Sequence, residues 1–256
     1  MLKEVDDAYR ETCRILFGME TGSLKEIEEW MKTGVPLPSP VKSAITGKEV
    51  WITPPPILMN QGFDKSRIVS FDESDKITTP FNSNELNDIE LKKMKKILKP
   101  VAYYIGNFRY GNYRNVENSS GGGAGQNIYY CDDAFHGIKN VAYCSSVIQC
   151  QYTFGSFHSP YSSFCIHIYH SAKLTRCFEM DGCTDCMDSM FCHNSEGLRD
   201  CLFCFNAKNL QYAVGNVVVG KAEYERIKKI LVEYIVNELK EKKKLGIGIY
   251  NLKKVR

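Results

Sequence analysis

IHIYHSAKLTRC (166–177), FEMDGCTDCMDS (178–189), MFCHNSEGLRDC (190–201) and LFCFNAKNLQYA (202–213) are four consecutive rows of twelve residues, and their alignment decides the fold. Three further rows precede them: YYCDDAFHGIKN (129–140), VAYCSSVIQCQY (141–152) and FGSFHSPYSSFC (154–165), with Thr153 left out as a one-residue insertion. The first column then holds Tyr129, Val141, Phe154, Ile166, Phe178, Met190 and Leu202, apolar in every row. The sixth holds Ala134, Ser146, Ser159, Ser171, Cys183, Ser195 and Ala207, small in every row. Identical columns meet when coils stack at about 4.8 Å, so the apolar column is expected to fill a lumen and the small column to occupy tight corners. The fifth column, Asp133, Ser145, His158, His170, Gly182, Asn194 and Asn206, is rich in residues that tolerate a bend, and a corner is expected there. Rings at Tyr129, Phe154 and Phe178 alternate with Val141, Ile166 and Met190, which suggests two rows, or 24 residues, per turn. The expected fold is mainly β: a right-handed parallel β-helix of twelve-residue units.

The flanks carry other signals. Residues 4–17 place Val5, Ala8, Tyr9, Cys13 and Leu16 on one helical face. A second helix is expected after Ser23, whose spacing to Glu26 makes a capping box, and Gly34 ends it. The proline-rich stretch 35–82 contains strand candidates at 49–53 and 67–71, and a third helix is expected over 84–98, stopped by Pro100. GGGAG at 121–125 lacks a following GK[ST] and reads as a flexible lead-in to the repeats rather than a phosphate loop. After a last strand at 214–219, residues 221–243 give a long amphipathic helix suited to cap the solenoid or dock a partner. The expected division is 1–115, an α+β region; 116–220, the solenoid; and 221–256, a capping helix with a basic tail.

Eleven cysteines is a high count, and ten lie between Cys131 and Cys204. The amino-terminal eighteen residues mix acids and bases where a secretory signal would need an apolar core, so reduced thiols in the cytoplasm, or in a particle assembled there, are expected. Cys183-x-x-Cys186 and Cys201-x-x-Cys204, with Cys192 and His193 between, approach the spacing of a zinc ribbon. The repeat frame supplies the competing account: neighbouring rows put Ser171 and Leu174, or Ser195 and Leu198, at the same two positions. There the cysteines read as small packing residues. Zinc, an iron–sulfur cluster and disulfides are the alternatives.

All five histidines fall in the repeats, with His158 and His170 in one column as a corner ladder. Cys192 and His193 are adjacent on a strand and point to opposite faces, so they form no nucleophile pair. Acidic residues such as Glu179, Asp181, Asp185 and Asp188 read as a solvated exterior, and no hydrolase, metalloprotease or dinucleotide motif is present. Lys92, Lys93, Lys95, Lys96 and Lys99, within 92–99, and the basic tail 240–256 are candidate contacts for nucleic acid or acidic protein. No apolar run reaches the roughly 20 residues of a membrane span.

The stretch CTDCMDSMFCHNSEGLRDCLFCFNAKNLQYAVGN (183–216) resembles cysteine-rich β-helix repeat proteins of unknown function from archaea, small-genome bacteria and their mobile elements or viruses. The resemblance covers about a third of the chain; it implies a β-helix and no activity. The sequence therefore points to a non-enzymatic structural or interaction scaffold, binding a partner or itself through the solenoid face and the last helix. A metal-binding or carbohydrate-acting β-helix is the alternative.

Overall fold

A computed structural model describes residues 1–53, 64–79, 81–86 and 90–251. From Asn140 to Gly215 every third residue has a backbone φ between +45° and +65°. Each such residue turns the chain, so one coil has four sides of three residues. Strands pair in parallel with the strand one coil later: Phe154 with Ile166, then Phe178, Met190, Leu202 and Val214. One turn is thus twelve residues, and the 24-residue turn is not adopted. The ten-stranded and four-stranded sheets of the solenoid are opposite sides of this one coil, their strands lying six residues apart at Lys139–Ala142 and Ser145–Ile148.

Left-handed φ disfavours most side chains. Asn, Asp and His accept it best, and they recur at the corners: the expected bend column is confirmed at Asp133, His158, His170, Asn194 and Asn206, with Gly182 among them. Asparagines there also hydrogen-bond along the stack, Asn115 to Asn127 at 2.8 Å, Asn127 to Asn140 at 2.7 Å and Asn194 to Asn206 at 2.7 Å.

The residue after each corner points inward. The four inward columns run Ile128 to Ala213, Cys131 to Cys204, Ala134 to Ala207 and Ile138 to Leu198, nearly all fully buried. With one inward residue per side the lumen admits little bulk. Serine, cysteine and threonine fit because their heads are satisfied by the main chain: Ser159 Oγ donates to the carbonyls of Phe157 and Ile168, both at 2.9 Å. Ser171 Oγ accepts the Cys183 N–H at 3.0 Å from the next coil while donating to Tyr169 O at 2.7 Å. A whole coil, Thr153, Ser156, Ser159 and Ser162, is polar and fully buried in this way. It divides the lumen into two apolar stretches.

Two details of the sequence frame change. Thr153 is in register, paired with Cys165; the extra residue is at the His136–Gly137 corner, where both residues have positive φ. Tyr129 therefore stacks on Ala142, not Val141; Ala134 stacks on Val147, not Ser146; and the corner is Ser146, not Ser145. More consequentially, the apolar first column lies outside the lumen. Phe154, Ile166, Phe178, Met190 and Leu202 each follow an inward residue by one position, so they project from the coil's outer side. They are buried there under helices.

Helix α1 (Lys3–Phe17) buries Val5, Ala8, Tyr9, Cys13, Leu16 and Phe17 and ends at Gly18, whose N–H bonds Arg14 O at 2.9 Å with φ of 74°. Tyr9 meets Phe154 edge-on at 5.6 Å and Phe17 meets Phe178 at 5.2 Å. Ser23 and Glu26 form the expected reciprocal bonds, and the helix proper, α2, is only Glu28–Met31. The third helix is broken into α3 (Ser83–Leu86) and, after a 3-10 turn at Leu91–Lys93, α4 (Met94–Leu98); its residues 87–89 lie outside the described residues. Helix α5 (Lys221–Lys242) buries Tyr224, Leu231, Ile235, Val236 and Leu239 in the same cluster as α1. It lies along the flank of the coil: Tyr224 Oη donates to Asp188 O at 3.1 Å, two coils before the chain leaves the solenoid. The alternating rings of the first column thus answer to helix side chains and not to a two-row turn.

The strands Glu49–Ile52 and Ile68–Ser70 form where expected, the first pairing with Ser39–Lys42 and the second with Tyr104–Gly106. Gly106 allows this close approach, since a Cβ there would lie 2.5 Å from Val50 Cγ1. Gly121–Gly123 is a strand of the coil, not a flexible lead-in. The rings of Phe135 and Tyr110 lie over it, and a Cβ on Gly121 would come within 3.0 Å of Phe135 Cζ.

Candidate functional site

The five cysteines of the ribbon-like spacing all enter the lumen. Cys183 and Cys186 occupy adjacent sides of one coil, Cys192 a side of the next, and Cys201 with Cys204 adjacent sides of the one after. The three-residue spacing is the length of one side. Cys183 Sγ donates to the carbonyls of Asp181 and Cys192, both at 3.4 Å; Cys201 Sγ donates to Arg199 O at 3.3 Å and Leu210 O at 3.4 Å. His193 is not brought to them: it projects outward, with Nδ1 2.8 Å from Asp181 Oδ2. Among the described residues no group of three or more His, Cys, Asp or Glu is arranged to hold a metal ion, and every cysteine is free. Burial holds the thiols of Cys144, Cys177 and Cys192 well above the ordinary range and pushes Cys150 up to about 12. Such thiols are neutral and unreactive at physiological pH.

His158 and His170 stack at 6.2 Å as a corner ladder, and His170 Nδ1 is 3.2 Å from Asp181 Oδ1. Asp181 thus receives two exposed imidazoles, one from the coil before it and one from the coil after.

The residues that sequence reasoning missed are His167 and Glu179 as a pair. They occupy the same corner one coil apart, and both are almost wholly buried, with His167 Nδ1 2.7 Å from Glu179 Oε1. The other carboxylate oxygen accepts the Ile249 N–H at 2.9 Å. Trp30 lies over the imidazole at 4.1 Å between ring centres, and Nε2 has no hydrogen-bond partner. Beneath the imidazole is Gly155, where a Cβ would lie 2.5 Å from His167 Cδ2. The twelve-residue offset of a histidine and a glutamate was the available signal, but it is visible only once the turn length is known.

This pair forms the back of a cleft of about 580 Å³ between residues 26–34, the coil side bearing Tyr169, and residues 242–251. Tyr250 packs on Tyr169 at 5.9 Å, and Tyr169 Oη donates to Thr33 O at 3.1 Å. Among the described residues the imidazole bonds to Glu179 and to no serine, threonine or cysteine. What the pair does here is anchor the carboxy-terminal segment: Leu245 and Ile249 are buried against the solenoid beside it.

The lysines of 92–99 are exposed on the α4 region. In the tail, Lys242 pairs with Glu238 at 2.6 Å and Lys243 with Glu26 at 3.4 Å; residues 252–256 lie outside the described residues. Among the described residues no helix is long and apolar enough to cross a membrane. No protein-family model matches the chain, and no curated relative is found.

Proposed function

We propose that the protein is a non-enzymatic interaction scaffold, acting in the cytoplasm or as a component of a multimeric assembly formed there, a virion among the candidates. One observation carries this reading. The chain's own helices close one side of the solenoid, while two other sides carry exposed ladders: Ile148, Thr184, Glu196 and Lys208 on one, Gln151, Arg199 and Gln211 on the next. Stacked coils hold these side chains at a fixed spacing of about 4.8 Å, and ion pairs run along the stack, Arg176 to Asp188 at 2.6 Å and Lys208 to Glu196 at 3.0 Å. A rigid, regularly spaced surface of this kind suits a protein partner or a second copy. The resemblance to cysteine-rich repeat proteins adds no activity to set against it.

The test is charge reversal along one open side, Lys173→Glu, Asp185→Lys, Glu196→Lys and Lys208→Glu together, with crosslinking in the source cells. The expected result is loss of a crosslinked partner or of self-association at an unchanged melting temperature. Unchanged crosslinks, or purified protein carrying stoichiometric zinc or iron, would count against the scaffold and for the metal-binding alternative.

A further inference from the structure

Asp132 is a buried carboxylate with no cation beside it among the described residues. It stands on the outer side of the coil, in the column of Ser120 and Ser145, beneath the layer made by Glu49–Ile52 and Tyr104–Gly106. That layer is tied to the coil by the Trp51 N–H, which donates to Asn107 Oδ1 at 2.8 Å, and by the Asn107 N–H, which donates to Trp51 O at 3.0 Å. The carboxylate is fully buried and accepts hydroxyl hydrogen bonds from Ser120, from Ser145 at 3.3 Å and from Thr53. Burial, with the neighbouring charge of Asp133 a smaller contribution, raises it above the ordinary carboxylate range. No basic side chain pairs with it among the described residues.

Asp132 nevertheless lines a pocket of about 270 Å³. Its walls are Phe108, Phe135 and Ile105, its floor includes Gly106 and Gly121, and Asp133 stands at the lip. Phe108 and Phe135 meet edge to face, with centres 6.2 Å apart, and both Phe108 and Ile105 are more than 40% exposed. A buried carboxylate held by hydroxyls alone is costly to ionise, and a positive charge that reaches it offsets that cost. Aromatic walls attract a cation further, and they cover the methylenes behind it. The volume suits one side-chain-sized group and excludes a nucleotide or an oligosaccharide.

We infer that this pocket binds the cationic end of an alkyl chain, an ammonium or guanidinium, with the charge on Asp132 and the methylenes between Phe108 and Phe135. The site is independent of the open sides of the solenoid, so it stands or falls separately from the scaffold reading. Two sources share this chemistry: a free aliphatic amine, and a lysine or arginine side chain presented by another protein.

The experiment titrates the full chain, labelled at phenylalanine ring carbons, with n-butylammonium, n-butanol, n-butyrate and N-acetyl-lysine N-methylamide. Butylammonium should bind about tenfold tighter than butanol, as one charge-assisted contact provides, and butyrate should not bind. Asp132→Asn, which keeps an acceptor for the serine hydroxyls, should abolish the preference, and Asp185→Asn, an exposed acid elsewhere, should keep it. Binding of the lysine derivative as tightly as butylammonium assigns the site to a protein side chain; its exclusion assigns it to a free amine. If the Asp132→Asn variant does not fold, the pH dependence decides. Only the ionised carboxylate holds the cation, so ammonium affinity in the unaltered chain should fall on acidification through the raised titration of Asp132, with Asp133 the other acid beside it among the described residues, while butanol binding stays constant. A preference that survives Asp132→Asn, an ammonium affinity flat across the acid range, or no saturable shift of the ring signals by any probe would overturn the inference.

Discussion

The lumen and the helix-covered flank are both buried, yet they are built from opposite materials. The lumen is lined by cysteine, serine, alanine and single aliphatics, whose polar heads bond the main chain of their own coil or the next. The flank is a bulky core: Tyr9, Phe17 and Leu24 from the amino-terminal region, Phe154, Phe178 and Met190 from the coil, and Leu231 and Ile235 from α5. The difference follows from coil size. Three residues to a side leave room for one small inward group per side, so the large apolar area on which stability depends must be assembled outside the coil. The solenoid is therefore a template that needs its helices.

The largest way to break the comparison is to remove part of the flank. A chain ending at Gly220 loses α5 and bares the side of Leu202 and Val214. It should aggregate or unfold on purification, as judged by light scattering and circular dichroism. A monomer with an undiminished melting temperature would show the helix to be dispensable.

Charge should break the lumen instead. The lumen thiols of Cys144, Cys150, Cys177 and Cys192 have folded-state values raised by burial, Cys150 to about 12, against an ordinary value of 9.0. A raised thiol keeps its proton in the folded state and loses it on unfolding, so its contribution is complete below about pH 9 and is lost as pH rises above it. At about 1.4 kcal/mol per thiol and pH unit, four such groups give roughly 5.5 kcal/mol per unit, enough to unfold a domain within two units. Urea midpoints measured from pH 8 to pH 11 should fall steeply; a flat profile would mean that the thiols are not buried as described.

Point changes sharpen the contrast. Phe178→Ala on the flank should cost about 3–5 kcal/mol in chemical denaturation. Cys183→Ser in the lumen should cost about 1 kcal/mol or less, because neighbouring coils use Ser171 and Ser195 at that position and satisfy them through main-chain carbonyls. Metal content should not change. Equal costs for the two substitutions would erase the distinction between the regions.

The repeat, the parallel stacking and the corner column were legible because columns of like residues are imposed by stacking itself. Which way a column faces was not legible. Phe154 and Phe178 are apolar whether they fill a lumen or meet a helix, and twelve-residue spacing alone does not say that every third residue turns the chain. Inserting at Thr153 and inserting at Gly137 restore the same downstream frame, and the pairings of Tyr129 with Ala142 and Ala134 with Val147 separate them. The ribbon-like cysteine spacing had the same defect: three residues is the ligand spacing of a zinc site and also the length of one side. The His167–Glu179 pair and the Asp132 pocket escaped notice because each joins residues whose neighbourhood exists only after the turn length and the overlying layer are set.

The twelve-residue, four-sided coil is tested most directly by deletion. Removing residues 190–201 takes out one coil and brings Leu202 onto Phe178, leaving every inward column intact. Removing only 190–195 takes out two sides: the lumen residues still point inward, but Leu202 and Val214 move to the opposite side of the coil, away from the helices that cover them. Thermal melts followed by circular dichroism should show a cooperative transition for the twelve-residue deletion and none for the six-residue one. Loss of cooperativity in both, with recovery only when residues 178–201 are removed together, would contradict the twelve-residue coil.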